Sequence, residues 1–335
     1  MKKEHENRPV QTDKAGRPAM MTRRAALTAG TFGAAAAAAT GVMTAGAAMA
    51  QTAGTGAGEL SGKTAFITGG ARGIGLASAE EMAKAGANIV LFDIATPSLP
   101  HVSYPLPSEA DLAAAQARIE GLGVQCMAYR GDVRNLADQQ AAMQQAVDRF
   151  GSLDIVLANA GVGHAGAFDS VTAGEISTLY EINVGGYIKT TQAAVPHLRA
   201  AGGGRIIYIS SGLARTGNGV FGVYGATKWA VNGIAKSAAL AYGRENIMCN
   251  VVAPGLVRTP FADNEAVLRA IMPDAENPTF DDVSAIIASG STIGIGHHEV
   301  EDIAKAVMFF AGDATRHMTG EVMDVSYGDA ALSIG

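Results

Sequence analysis

Six apolar runs with almost no polar interruption, separated by stretches of helical character, constrain this chain more than any other feature. They are TAFIT (Thr64 to Thr68), ANIVLFD (Ala87 to Asp93), VQCMAYRGD (Val124 to Asp132), DIVLAN (Asp154 to Asn159), RIIYIS (Arg205 to Ser210) and IMCNVVAP (Ile247 to Pro254), and EVMDVS (Glu321 to Ser326) adds a seventh, more polar one. A strand with one wet face alternates apolar and polar residues, whereas a strand covered on both faces reads as a continuous apolar run. Segments such as IGLASAEEMAKAG and DQQAAMQQAVDRFG lie between the runs and carry the 3.6-residue pattern of helices. The alternation predicts an α/β chain: a doubly wound, parallel, seven-stranded sheet with right-handed crossovers. Apolar residues at 48%, charged residues at 17% and 42 glycines fit one large core closed through small side chains. The sequence shows no internal repeat and no sign of a second domain.

Two stretches break the alternation. The Pro-rich ATPSLPHVSYPLPSEAD follows the second run directly, giving an insertion over residues 95–108, and a long segment, 261–298, separates the sixth run from the last helix. Long insertions in compact α/β domains are mostly functional, so 261–298 is expected to act as a substrate loop.

The first fifty residues belong to a different problem. Residues 1–24 carry seven Lys/Arg and three Asp/Glu, Ala25 to Ala50 carry no charge, and the junction reads TRRAAL with Arg23 and Arg24 paired. A basic segment, a mildly apolar stretch and the small-residue exit AMA (Ala48 to Ala50) form the pattern of a twin-arginine export signal over residues 1–50. Residues 51–60 then read as a linker and 61–335 as the folded domain. A charge-free helical tail or an uncleaved membrane anchor is the alternative, although an Ala/Gly-rich run makes a poor anchor. Use of the signal would place the protein in the periplasm or outside the cell, with no membrane attachment after cleavage; without it the chain stays cytoplasmic. The whole chain has net charge −6, and the body beyond the signal is more acidic still. That balance argues against nucleic acid as a partner. Two cysteines, Cys126 and Cys249, each in a strand-like run, suit core packing and not a disulfide framework. No His/Cys/carboxylate spacing suggests a metal site.

The first run passes into TGGARGIG (Thr68 to Gly75) and then a helix. Gly69, Gly73 and Gly75 let the backbone turn and approach a pyrophosphate resting on the helix's first amides, beside Arg72 and Ile74. Asp93 closes the second strand, where a carboxylate accepts hydrogen bonds from both adenosine ribose hydroxyls and repels a 2′-phosphate. The pairing points to a Rossmann-type domain that prefers NAD over NADP, with Arg72 as the counter-argument because it could pair with that phosphate.

In YGATK, Tyr224 and Lys228 stand four residues apart on one helix face, and Ser211 ends the preceding strand. Reducing a carbonyl by hydride leaves an alkoxide that needs a proton, and oxidising an alcohol needs a base for the same proton. Ionising a tyrosine near neutrality costs roughly 4 kcal/mol, and one ammonium within ~4 Å at an effective dielectric of ~20 returns about that much. Lys228 is therefore expected to activate Tyr224, with Ser211 holding the substrate oxygen.

With those residues, the chain resembles the short-chain dehydrogenase/reductase family from about Ser61 to Gly328. The resemblance rests on TGGARGIG, Asp93, GDV (Gly131 to Val133), NAG (Asn159 to Gly161), Asn183, Ser211, Tyr224 with Lys228, and PGLVRT (Pro254 to Thr259). It implies a catalytic set of Ser211, Tyr224, Lys228 and Asn183, with Asn183 holding a water in a proton relay behind Lys228. It also implies that Asp132 and Val133 bracket adenine, that Asn159 lines the cofactor groove with Pro254 and Val257, that Lys228 bonds the nicotinamide ribose and that Thr259 reaches the carboxamide. A secondary alcohol or ketone as substrate and a homotetramer follow from the same resemblance. SEADLAAA, FADN, MPDAENPTFDDV and DATRHMTGEV give a narrower likeness to the mycofactocin-associated branch containing carveol-type dehydrogenases. That likeness implies a cofactor held without exchange, turned over by a second substrate or an external redox partner. Two departures are visible: Ser326 and Tyr327 stand where the family usually carries Asp and Gly, and an export signal is unusual for enzymes that draw on a soluble cofactor pool. Two other functions stay open on the same fold, a non-catalytic NAD-binding sensor or scaffold and an epimerase or dehydratase.

Overall fold

The computed structural model describes residues 58–328 and 331, so the expected export signal at residues 1–50 lies outside the described residues. The seven runs form β1 (Thr64–Thr68), β2 (Asn88–Asp93), β3 (Cys126–Arg130), β4 (Ile155–Ala158), β5 (Gly204–Ile209), β6 (Ile247–Pro254) and β7 (Val322–Val325). All neighbours pair in parallel, in the order β3-β2-β1-β4-β5-β6-β7. The helices are α1 (Gly73–Lys84), α2 (Glu109–Glu120), α3 (Leu136–Phe150), α4 (Ala173–Tyr180), α5 (Tyr187–Ala200), α6 (Gly222–Tyr242), α7 (Glu265–Ile271), α8 (Phe280–Gly290) and α9 (Val300–Ala311).

The continuous apolar runs now have a geometric cause. Successive side chains of a strand point to opposite faces. Phe66, Val90, Phe92 and Val156 enter one core with Met143 of α3, Leu198 of α5 and Val231 of α6, while Ala65, Ile67, Ile89 and Leu91 enter the other with Met82 of α1, Leu112 of α2 and Val307 of α9. Both faces are dry, so both parities must be apolar. Cys126 and Cys249 are buried free thiols within these cores, and burial pushes each thiol up to about 12, which removes it from thiolate chemistry near neutral pH.

The strand order reverses between β1 and β4, the switch point where ligands bind in doubly wound sheets. Thr68 ties the two strand ends together there: its hydroxyl accepts the amides of Asn159 (2.9 Å) and Ala160 (3.1 Å).

The segment 261–298 is not a plain loop. It contains α7 and α8, capped by Asn264 and by a Thr279–Asp282 capping box, and it packs a small core of its own around Leu268, Phe280 and Val283. The capping signal was present in TFDD; the apolar residues behind it are too few to announce a helix by periodicity. Replacing Thr279 with Ala is expected to destabilise this subregion by ~1 kcal/mol, read as faster amide exchange in α8 with little change in global melting. Among the described residues no helix is long and apolar enough to cross a membrane, and no group of three or more His, Cys, Asp or Glu is placed to hold a metal ion.

Candidate active site

A cleft of about 490 Å3 opens at the carboxyl edge of the sheet, over the switch point. Gly69, Arg72, Gly73, Ile74, Asp93, Asp132, Val133, Asn159, Ser211, Tyr224, Lys228, Pro254, Val257 and Thr259 all line it. Gly75 lies beneath, and a Cβ there would meet the Gly69 carbonyl oxygen at 2.1 Å and Asn159 Nδ2 at 2.8 Å. Gly69 and Gly73 hold φ of 68° and 59°, the left-handed region that an L side chain enters only with strain. A Cβ on Gly73 would approach nothing closer than the Thr259 methyl at 3.7 Å, so Gly73 faces open space across from Thr259. The N-terminus of α1 has no side-chain cap, whereas Ser108, Asn135, Thr172, Asn264 and Thr279 cap α2, α3, α4, α7 and α8. Orphan amides beside that glycine turn fit a pyrophosphate.

Asp93 is 5% exposed, and its carboxylate accepts the amides of Ala71 and Ala95, each at 3.1 Å. Burial raises its affinity for a proton, and those two amides with the Arg72 charge pull it back. Arg72 donates to the Pro105 carbonyl at 2.6 Å, so this guanidinium is tied to the insertion. Asp132 is clamped by Arg134, with Nη2 to Oδ2 at 2.6 Å. Asn159 lines the groove and also braces it, because Nδ2 donates to the carbonyls of Thr68 (2.9 Å) and Gly69 (3.2 Å).

Ser211, Tyr224 and Lys228 converge as their placement in sequence suggested. Ser211 follows β5 and lines the cleft with Tyr224; its hydroxyl accepts the Leu213 amide at 3.2 Å, and it partly offsets the effect of burial on the Tyr224 phenol. Lys228 Nζ donates to the Ile209 carbonyl at 2.9 Å and to the Tyr187 hydroxyl at 3.3 Å, and it lies 5.7 Å from the centre of the Tyr224 ring. The simple pair energy expected above therefore needs correction. Burial pushes the Tyr224 phenol well above its ordinary 10 and pulls the Lys228 ammonium down to about 7, so without a bound cofactor desolvation works against both charges. In the cofactor-free protein burial thus opposes the charge through which Lys228 would act on Tyr224.

This burial has a consequence for stability. Between about pH 7 and 10.5 Lys228 is protonated in the unfolded chain and neutral in the folded one. The unfolded state then binds more protons, so this group's contribution to stability rises with pH across that window, by at most ~1.4 kcal/mol per pH unit. Below it both states are charged and the penalty is complete; from about pH 9 the raised thiols of Cys126 and Cys249, and above pH 10 the raised tyrosines, reverse the slope. The cofactor-free protein is expected to melt at higher temperature as pH climbs from 7 towards about 8.5, where the buried thiols begin to oppose the gain. Lys228→Met should raise the pH 7 melting point and flatten the climb, and an unchanged profile would contradict the burial of this charge.

Asn183 is fully buried in a π-helical turn, Glu181–Gly186, between α4 and α5. Its side-chain amide is spent on neighbours: Oδ1 accepts the Val162 amide at 2.9 Å, and Nδ2 donates to the Val162 carbonyl at 2.7 Å and Thr227 Oγ1 at 3.1 Å. Through that side chain Asn183 braces the cleft wall at Val162, and it is not among the residues lining the cleft.

Comparison with known proteins agrees with this geometry. The family profile described as short chain dehydrogenase matches residues 63–267. The chain belongs to the short-chain dehydrogenase family. The (−)-trans-carveol dehydrogenase of Rhodococcus erythropolis is 32% identical over 272 residues, which span 81% of this chain and 98% of that one. The structure of carveol dehydrogenase from Mycobacterium avium in complex with NAD superposes with a TM-score of 0.79 at 33% identity, covering 82% of this chain and 99% of that one. A short chain dehydrogenase from Mycobacterium paratuberculosis bound to NAD gives a TM-score of 0.75 at 34% identity, covering 82% and 100%.

Three aromatic residues of this short-chain dehydrogenase reach the site without having been singled out for it in sequence. Tyr104, from the insertion, accepts the Gly163 amide at 3.1 Å and packs its ring 5.9 Å from Phe261, which itself lies 5.2 Å from the Tyr224 ring. With Val162, Leu213, Phe221, Ile271 and Ile287 these rings make the cleft around Tyr224 apolar. Tyr327, the departure near the C-terminus, stacks on His298 at 4.7 Å, donates to the Leu256 carbonyl at 3.2 Å and accepts the Leu256 amide. It occupies the space that a side chain on Gly255 would need, so the C-terminal segment is packed through the tyrosine itself. Tyr187 is the third, placed behind Lys228. No periodicity marks any of the three.

Proposed function

We propose that this chain is an NAD-dependent oxidoreductase interconverting a secondary alcohol and a ketone, with Tyr224 as the acid/base. The convergence of Ser211, Tyr224 and Lys228 at the end of a cleft that begins on the uncapped amides of α1 carries this reading. Bound NAD supplies the acceptor, and NADH the donor, of the hydride. In the oxidation direction Ser211 holds the alcohol oxygen while Tyr224, as phenolate, removes its proton; in reduction Tyr224 returns that proton to the alkoxide. A cationic nicotinamide and a protonated Lys228 together favour the phenolate that burial opposes. Asn183 holds the wall and, as proposed from the resemblance, a relay water behind Lys228. Asp93 suits the adenosine ribose of NAD, and the engagement of Arg72 with Pro105 weakens the case for a 2′-phosphate partner.

The substrate end suits a cyclic, terpenoid-like secondary alcohol, since aromatic and aliphatic side chains surround Tyr224 with few polar groups. A panel of cyclic secondary alcohols and ketones, assayed with added NAD and separately with an artificial electron acceptor, tests the reaction; no turnover with any of them would defeat it. Tight retention of NAD belongs to the same proposal. Leu99, Tyr104, Leu106 and Pro107 of the insertion line the cleft, anchored by the Arg72–Pro105 and Gly163–Tyr104 hydrogen bonds. Arg72→Ala is expected to speed NAD release about tenfold, the loss of one partly exposed charge-assisted hydrogen bond. Release is read by stopped-flow fluorescence after mixing NADH-loaded protein with excess NAD, and NAD freed by denaturing protein purified without nucleotide measures the retained fraction.

Export through the twin-arginine route would carry a folded, cofactor-loaded enzyme out of the cytoplasm. Fractionating cells that express the full chain and an Arg23→Lys/Arg24→Lys variant tests this: equal distribution of the two would remove the proposal. A homotetramer, also proposed from the resemblance, is tested by light scattering.

A further inference from the structure

Among the buried polar groups that the mechanism leaves unused, Tyr187 touches Lys228. Tyr187 is 2% exposed, opens α5 directly after the π-helical turn, and sends its hydroxyl to the back of Lys228. The hydroxyl donates to the Ile209 carbonyl at 2.9 Å, lies 3.3 Å from the Asn159 carbonyl and accepts from Lys228 Nζ at 3.3 Å. Behind it the ring packs 6.4 Å from Tyr208, whose own hydroxyl is held by Thr191 at 2.8 Å. The turn helps to set this direction. A π turn adds a residue, so every later position is rotated by about 100° relative to an unbroken α-helix.

We propose that Tyr187 is a positioning residue for the same reaction: pinned to the strand-end carbonyls, its hydroxyl holds Lys228 Nζ in place behind Tyr224. The proposal rests on the reading of Tyr224 and Lys228 as the proton-transfer pair.

An ammonium has three protons. Two are directed backwards, to Ile209 and Tyr187, which leaves one for the cleft. Among the described residues no carboxylate moderates this charge; the titratable groups facing it are Tyr224 on its own helix and Tyr187 from α5, while the ends of β4 and β5 present the Asn159 and Ile209 carbonyls beside Tyr187. Tyr187 itself stays neutral, because burial raises its phenol far above the ordinary value. It therefore acts as a fixed dipole that both solvates and aims the lysine. A phenylalanine would keep the ring and the packing against Tyr208, and would remove one acceptor from a buried cation.

The test uses the NAD-loaded protein labelled with [13Cε]lysine, with the Lys228 resonance assigned by its loss in Lys228→Met. In Tyr187→Phe the Lys228 titration midpoint is expected to fall by about one pH unit, the scale of one hydrogen bond to a charged group. With a cyclic secondary alcohol that the wild type turns over, kcat should fall about tenfold while KM and NAD affinity stay within about twofold. Site-specific 3-fluorotyrosine at position 187 keeps the hydroxyl but weakens it as an acceptor, so it should lower the midpoint by less, in the same direction. It also preserves the test if the phenylalanine variant does not fold. An unchanged midpoint in either folded variant overturns the contact, and a lowered midpoint with unchanged kcat overturns the positioning role. The titration needs no turnover, so it stands apart from the reading of Tyr224. Retained activity in Tyr224→Phe would defeat that reading while leaving the Tyr187–Lys228 contact to be judged by the midpoint.

Discussion

Tyr224→Phe is expected to lower kcat by about 10³-fold, within the range for loss of a general acid or base, while NAD affinity and melting temperature remain near wild type. The ring of Tyr224 is held by its neighbours, 6.3 Å from Phe221 and 5.2 Å from Phe261, so a phenylalanine keeps the packing and deletes only the hydroxyl. Ser211 would still meet a substrate oxygen, but no group would remain to take or return its proton. Lys228 is not placed to substitute, since two of its hydrogen bonds hold it behind Tyr224, on the Ile209 carbonyl and the Tyr187 hydroxyl. NAD binding measured by fluorescence quenching separates this outcome from a folding defect. Turnover within tenfold of wild type would assign the proton transfer elsewhere and favour a site that binds the cofactor without needing this tyrosine.

Gly75→Ala should have the second largest effect, on the cofactor and not on the chemical step. Its Cβ would lie 2.1 Å from a backbone oxygen, which has no rotamer through which to escape. The first turn of α1 must then move away from the glycine turn, breaking the Asn159 hydrogen bonds that brace the Thr68 and Gly69 carbonyls. Overpacking of this kind costs about 1–3 kcal/mol of stability, and displaced pyrophosphate-binding amides should weaken NAD by roughly 100-fold, about 2.7 kcal/mol. Gly73→Ala offers the contrast. Its Cβ would enter the cleft with the Thr259 methyl at 3.7 Å, so the expected cost to folding is only the left-handed backbone, about 1–2 kcal/mol. Titration calorimetry measures the loss of NAD affinity in Gly75→Ala, and thermal unfolding without cofactor compares the two variants. If Gly73→Ala lost more stability than Gly75→Ala, close packing of helix on loop would not be what requires a glycine at position 75.

The insertion and the segment before α9 show where legibility ended. Both stood out in sequence as breaks in the alternation, but a run such as SYPLP contains nothing to say that Tyr104 will reach Gly163, 59 positions away, and pack against Phe261. The same limit applies to Tyr327, whose partners Leu256 and His298 lie on other segments. Helices α7 and α8 were hidden for a different reason, because a short helix over a small satellite core has too few buried positions to display a period.

The sequence by itself determined the parallel sheet, the order of its motifs and the glycine turn at the first strand end. Each of these is dictated locally: strands dry on both faces must be apolar at every position, and only glycine enters a left-handed turn without strain. It also determined which residue types could exchange a proton with a substrate, because Ser211, Tyr224 and Lys228 follow one another from just beyond β5 into α6. Only the tertiary structure decided how charged that site is. Desolvation depends on everything packed around a group, and Lys228 gathers its surroundings from α5, α6 and the ends of β4 and β5. No spacing along the chain encodes that environment, which is why the lysine read from sequence as a ready cation is, in the fold, one that Tyr187, the strand-end carbonyls and a bound cofactor must sustain.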